Sequence, residues 1–156
     1  MYTEQLTQAL SIVGKLDPVS LAAATPTAVK SVDMRKFKRA LFILDVGVFG
    51  SSATVDMKLQ ASADNSSFTD LATLAPTLTG VAITQMTAGG GNNKLTSLEI
   101  RADQMPAGYR YVQALITVGT AATLVSGIAL GGESAQKPGQ VNDIAAVLQR
   151  LVVGGP

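Results

Sequence analysis

Residues 111–132 read YVQALITVGTAATLVSGIALGG, a run of 22 residues without a single charge. The length would allow a bilayer-spanning helix, which needs about 20 apolar residues. The internal pattern points elsewhere. Val112, Ala114, Ile116 and Val118 alternate with Tyr111, Gln113, Leu115 and Thr117, the period of two that belongs to a half-buried strand. Thr and Gly dilute the hydrophobicity a membrane helix would need. Gly119-Thr120-Ala121-Ala122 supplies a turn, and Thr123 to Leu130 forms a second β-rich run. The segment is therefore expected to be a two-stranded hairpin, with no membrane partner.

The same texture extends back to about Val19. Short runs at 19–24, 28–33, 39–49, 53–63, 67–72, 81–87, 94–102, 109–118 and 123–130 are separated by turn residues, the rhythm of a β-sandwich or barrel. Val55, Met57, Leu59 and Ala61 alternate with Thr54, Asp56, Lys58 and Gln60, giving one dry and one wet face. The run 39–49 is apolar on both faces, which predicts a central strand covered on both sides. Asp64-Asn65-Ser66-Ser67 reads as a hairpin tip, since Asp and Asn can satisfy their own backbone. Gly89-Gly90-Gly91-Asn92-Asn93 reads as a second, longer one.

The two ends change period. Leu6, Ala9, Leu10 and Val13 fall at i, i+3, i+4 and i+7, which predicts a helix over 3–13 with Thr3 as N-cap and Gly14 as stop. Asp17-Pro18 closes that segment. Beyond a linker at 133–140, Ile144, Val147, Leu148 and Leu151 repeat the helical spacing over 142–153. This second helix either docks on a neighbouring subunit or covers an edge of its own sheet. The expected organisation is a helical arm (1–18), a β-sandwich (19–132) and a linker with an amphipathic helix (133–156). The opening segment carries Glu4 and no basic region, unlike a signal peptide.

Composition narrows the chemistry. Ala (22), Gly (15), Thr (15) and Ser (11) dominate, only 15% of residues are charged, and Cys, His and Trp are absent. That excludes zinc clusters, thiol nucleophiles, disulfides and Ser-His or Cys-His pairs. A net charge of +1 gives no electrostatic footprint for nucleic acid. Gly89–Gly91 lacks the Gly-Lys-Ser/Thr that opens a phosphate-binding helix. Asp64-Asn65-Ser66 with Asp70 lacks the ligand spacing of a calcium loop. Arg35, Lys36, Lys38 and Arg39 form the basic cluster. It reads as a charged loop or edge strand that resists unwanted pairing, with phosphate or DNA contact, or an acidic partner patch, as alternatives. Tyr109 and Tyr111, placed on one strand face, offer a possible sugar platform but are read as partly buried. The acids are scattered, so no acid/base constellation can be assembled, and no enzyme activity, metal or cofactor is expected.

Several stretches resemble small virion proteins of tailed bacteriophages, typically encoded near the major capsid gene. They are MYTEQL, VDMRKFKRALFILDVG (32–47), ATVDMKLQASAD (53–64), AITQMT (82–87), Tyr109-Arg110-Tyr111-Val112 and LITVGTAATLVSGIALGG (115–132). The resemblance runs in order over most of residues 1–132 and weakens after Gly132. It implies a capsid cement or decoration protein on the virion surface, made in the host bacterial cytoplasm. The implied fold is an all-β antiparallel sandwich of jelly-roll type, with the short helical arms added. The implied partners are the major capsid protein and further copies of the chain, as a trimer. A head–tail connector, tail or fibre subunit, including a glycan-binding one, is the alternative. No catalytic residue carries over. Leu6, Leu10 and Val13, with Ile144, Val147, Leu148 and Leu151, are the expected interface or edge-covering residues.

Overall fold

The computed structural model describes residues 6–135, 145 and 147–149. One helical turn, α1 (Leu6–Ala9), leads into β1 (Leu10–Leu21), β2 (Thr27–Ala28), β3 (Val32–Asp33), β4 (Phe37–Val46) and β5 (Thr54–Ser62). Then come β6 (Thr69–Asp70), α2 (Leu71–Leu74), β7 (Met86–Thr87), α3 (Ala88–Gly91) and β8 (Lys94–Arg101). A 3-10 turn (Ala102–Gln104), β9 (Tyr111–Gly119) and β10 (Thr123–Ser134) complete the described fold.

Two antiparallel sheets result. The first has the order β1-β10-β4-β8; the second has β2-β9-β5-β6, with β3 also on β9 and β7 also on β5. The pairing is nested. β1 bonds β10, β2 and β3 bond β9, β4 bonds β8, and β5 bonds β6 and β7. A long antiparallel hairpin rolled up on itself gives this nesting, which is the jelly roll of two Greek keys. The all-β sandwich expected from sequence is therefore present.

The core lies between the sheets, where the alternation predicts it. Val112, Ala114, Ile116 and Val118 of β9 are all buried, as are Val55, Met57, Leu59 and Ala61 of β5. They face Ala40, Phe42, Leu44 and Val46 of β4 and Val125 and Ala129 of β10. The extended stretch before β7 lies against β5, with Leu59 N–H bonding the Val81 carbonyl and Ile83 N–H the Met57 carbonyl.

Three expectations are corrected. First, β9 and β10 exist but are not a hairpin: they belong to different sheets, and Gly119–Ala122 crosses between them. Each strand buries one alternate set of residues, and facing each other across the core satisfies both sets. Each also pairs along its length with other strands, β5 for β9, and β1 and β4 for β10. Gly89–Asn93 likewise crosses from one sheet to the other. Its Ala88–Gly91 part is a helical turn held by Asn92, whose amide donates to the Ala88 carbonyl and accepts from Phe49 N–H, both at 2.9 Å. By contrast, Asp64–Ser67 does close a hairpin, between β5 and β6.

Second, the helix expected over 3–13 is confined among the described residues to Leu6–Ala9. From Leu10 the chain is a strand paired with β10 as far as Leu21. A helix of that length is marginal alone, whereas pairing satisfies the backbone, and Ile12 and Val13 favour strand. Pro18 is tolerated because β1 is an edge strand, with its register broken between Leu16 and Val19. Third, Tyr109 precedes β9 and packs against the core, so it shares no strand face with Tyr111. Most of the segment 142–153, including Ile144 and Leu151, lies outside the described residues; Ala145 is in a turn, and Val147–Gln149 have irregular or bent backbone.

Candidate interaction surfaces

The two outer faces of the sandwich differ in chemistry. Directly opposed residues of an antiparallel sheet share a face, so the register fixes the outer surface of the first sheet rung by rung. One rung carries Ile12, Leu130, Leu41 and Glu99; the next carries Lys15, Ile128, Ile43 and Ser97. Leu41, Ile43, Ile128 and Leu130 form an apolar island on the two central strands, flanked by Lys15, Ser97 and Glu99. Ile128 is 44% exposed, and Leu124 (51%) and Leu95 (67%) lie further along the same face.

Strand β10 is amphipathic in the unusual sense. Its inward residues are Val125, Gly127, Ala129 and Gly131, all buried; its outward residues are Leu124, Ser126, Ile128 and Leu130. Bulk therefore points to solvent and small residues to the core, the reverse of a strand with a solvated outer face. The expectation that the doubly apolar β4 is covered on both sides is corrected here. Its inner face is covered, but Leu41 and Ile43 are only partly buried on the open one.

The outer face of the second sheet is wet. Lys58 Nζ bonds Asp70 Oδ2 at 2.6 Å, Gln60 Nε2 bonds Asp70 Oδ1 at 2.8 Å, and Gln113 Nε2 bonds Gln60 Oε1 at 3.0 Å. The Lys58 hydrogen bond, then that from Gln60, holds the Asp70 carboxyl below its usual pKa. The predicted dry and wet faces of β5 are both present. A polar network of this kind needs no partner.

The basic cluster is divided by the fold. Arg35 and Lys36 sit in the turn before β4, while Lys38 and Arg39 lie on β4 itself, a central strand rather than an edge or loop. Arg39 Nε bonds Glu133 at 2.8 Å and its guanidinium lies 3.6 Å from Glu99. Arg101 grips Asp103 through two bonds of 3.0 Å. Lys38, Arg39, Arg101, Asp103 and Glu133 line a shallow cleft in which both signs of charge alternate. These pairings compensate Arg39 and Arg101 locally, and leave no uniformly basic surface at the cleft.

Of the expected contact residues, Leu6 is 73% and Leu148 98% exposed. Leu10 is partly buried, Val13 packs against the core, and Val147 is partly buried. Sequence reasoning missed the Asp33–Arg110 pair, joined by Arg110 Nε to Asp33 Oδ1 at 2.8 Å and Nη2 to Oδ2 at 2.6 Å. Arg110 also stacks over the Tyr111 ring, 5.0 Å from its centroid. The Arg110 hydrogen bond lowers the Asp33 pKa despite partial burial. At the β5–β6 tip, Asp64 accepts from Ser66 Oγ at 2.7 Å and from the Ser66 and Ser67 amides, which stabilises its ionised form. No helix among the described residues is long and apolar enough to cross a membrane. These residues also hold no group of three carboxylates placed to share a metal ion.

No family model matches the chain, and no curated protein matches it. Two solved structures align over most of its length. One is a chain of infectious bursal disease virus, Gt strain, at 9% identity and TM-score 0.43, covering 83% of this chain and 32% of that one. The chain thus spans about a third of the length of that relative. The other is a chain of Desmodium yellow mottle tymovirus, at 9% identity and TM-score 0.34, covering 86% and 93%. The jelly-roll assignment rests on the strand pairing described above.

Proposed function

We propose that the chain is a non-enzymatic structural protein of a virion, a capsid cement or decoration protein that stabilises a phage head by bridging major capsid subunits. The observation that carries this reading is the asymmetry of the sandwich: one outer face carries a hydrogen-bonded polar network, and the other presents a cluster of aliphatic side chains. A contiguous exposed apolar patch on a small domain marks an interaction site. The phage resemblance in the sequence supplies the partner, the major capsid protein, and the trimeric state. The histidine- and cysteine-free composition suits a part whose work is burial rather than chemistry.

Burial contributes about 25 cal/mol per Å² of apolar surface. Each contact is weak, but many repeated copies on one shell act together. The test is the copy number of the chain in purified particles, by quantitative mass spectrometry against the major capsid protein. Hundreds of copies are expected. About six or twelve would transfer the protein to a connector or tail, and none would refute a virion role.

A further inference from the structure

We propose that β8 is a docking edge for β8 of a second copy of this chain, the two strands pairing antiparallel about Ser97 and joining the first sheets of both copies. An edge strand leaves a row of backbone N–H and C=O groups unpaired. In the second sheet the edges are fragments, since β2, β3, β6 and β7 have two residues each. In the first sheet, β1 carries Pro18 and loses register between Ile12 and Gly14 and again between Leu16 and Val19. Short strands, proline and bulges are the devices that keep an edge from accepting another strand. β8 has none of these. Its eight residues, KLTSLEIR, pair with β4 at every position from Lys94 to Arg101 without a shift.

The neighbouring strands tell which of its groups are free. Gly47 N–H bonds the Leu124 carbonyl of β10, so Ala40, Phe42, Leu44 and Val46 of β4 turn their groups the other way, to β8. Their partners there are Ile100, Leu98, Thr96 and Lys94. Leu95, Ser97 and Glu99 therefore direct N–H and C=O to the open side. Arg101 keeps the same alternation, its N–H going to Gln104 Oε1 at 3.0 Å within its own turn. Asn93, at φ +53°, breaks the alternation just before β8 and bonds the Gly47 carbonyl. The loop at 78–81 borders Glu99 and Ile100 but forms no backbone hydrogen bond with them.

The occupant follows from the edge. Among the described strands, β8 alone combines this length with an unbroken open side, so the strand of another copy that matches it is again β8, related by a two-fold axis. Centring the pair on Ser97 uses every free group: Ser97 exchanges both its bonds with its own copy, and Leu95 exchanges its bonds with Glu99 on either side. Glu99 then lies against Leu95, which is 67% exposed in the single chain, and Lys94 against Ile100. Other centres fit less well. Leu98 would set Leu95 against Arg101, whose N–H Gln104 already holds. Glu99 would set two carboxylates face to face, and Thr96 would set Glu99 against Asn93, which bonds Gly47. The contact is closed, because the remaining edges are short or broken.

Two measurements test it, and neither needs a particle. Light scattering over a concentration series compares the wild type with Ser97→Pro, with circular dichroism as the check on folding. Proline removes the central N–H and crowds an incoming strand, while the fold should persist because that N–H points away from β4. Ser97→Pro is expected to run at half the wild-type mass, with the dissociation constant of the pair raised at least tenfold; equal masses would overturn the inference.

The chain has no cysteine, so one introduced thiol reports one contact. Opposed residues of a bonded pair have Cα atoms about 5.5 Å apart, within disulfide reach. With oxidised glutathione, which is reduced to two thiols as the bond forms, Ser97→Cys should cross-link at least tenfold faster than Leu95→Cys. The copies of Leu95 would stand about 14 Å apart along the strands. A mixture of Leu95→Cys and Glu99→Cys should cross-link as Ser97→Cys does. Slow linking at position 97, or linking at 95 just as fast, would overturn the inference, and this readout decides alone if Ser97→Pro loses its fold. Pairing without particle binding would sink the cement reading and leave this one standing; particle binding by an unpaired chain would do the reverse.

Discussion

Replacing Gly131 by Ala tests the packing of the jelly roll where β10 passes close over a buried aromatic ring. A Cβ at Gly131 would stand 2.5 Å from Cγ of Phe37 and 2.6 and 2.7 Å from its two Cδ atoms. Carbon atoms pack at about 3.5–4.0 Å, so roughly 1 Å must be found. It cannot come from a flexible chain end, because the ring is rigid and Phe37 is only 1% exposed. Two effects favour the alanine: a buried methyl contributes about 0.8 kcal/mol, and the stiffer unfolded chain about 0.4–1 kcal/mol. The overpacking must exceed both. A rigid core resists such insertion with a typical net cost of about 1–3 kcal/mol, which lowers the thermal midpoint by roughly 2–12 °C for a chain of this size. Gly132→Ala is the control, since its Cβ would meet Leu10 Cδ2 and Arg39 Cβ at 3.4 and 3.6 Å, ordinary contact distances. That variant should be neutral or slightly stabilised. Urea unfolding at two protein concentrations separates fold stability from self-association. A neutral or stabilised Gly131→Ala, or equal losses at both glycines, would refute the claimed approach of β10 to Phe37.

Two further outcomes follow from single sites. Asp33 has its pKa lowered chiefly by the Arg110 hydrogen bond, so its contribution is fully present above the unfolded value near 3.9 and is lost as pH falls through the lower folded value. Asp33→Asn should therefore lower the urea midpoint at pH 7, with the gap to wild type closing below about pH 4; curves that stay parallel would refute the assignment. Thr120, in the crossing between β9 and β10, has φ +66°, which costs a side-chain-bearing residue about 1–2 kcal/mol and is worst for a β-branched one. Thr120→Gly relieves that strain against an entropic loss of about 0.5–1 kcal/mol, so calorimetry should show a gain of about 0.5–1 kcal/mol; a lowered midpoint would contradict it.

Much of the fold was legible because alternation reports burial directly. The faces of β5 and β9 could be read residue by residue, and the turn at Asp64–Ser67 announced itself through its own side chains. Alternation names the face that is buried and is silent on which strand lies alongside. The stretches at 119–122 and 89–93 therefore read as hairpins, although both carry the chain across the sandwich. Residues 6–13 fit either period, and β10, more than a hundred residues later, decides for strand. The Asp33–Arg110 pair joins positions 77 apart and depends on the β3–β9 register, which no local pattern encodes. Of the candidate surface, the doubly apolar character of β4 was visible in sequence. Among the described residues, nothing fully covers its second side, where Leu41 and Ile43 stay partly exposed.

The abundance of small residues acquires a physical meaning from β10. Gly127 has Val29 Cγ2 at 3.0 Å from where its Cβ would be, and Gly131 has Phe37 closer still, so these glycines are what lets large side chains from elsewhere fill the core. The bulk that β10 could have placed inside is instead carried outside, on Leu124, Ile128 and Leu130. For a solitary domain this is a poor arrangement, because each exposed CH₂ forgoes about 0.8 kcal/mol of burial and an apolar outer face invites association. The arrangement gains stability only when something lies on that face. Composition and surface are thus two sides of one strand: small residues inward, where β10 meets its own core, and large residues outward, where the stabilisation it withholds from the monomer would be recovered under a covering partner.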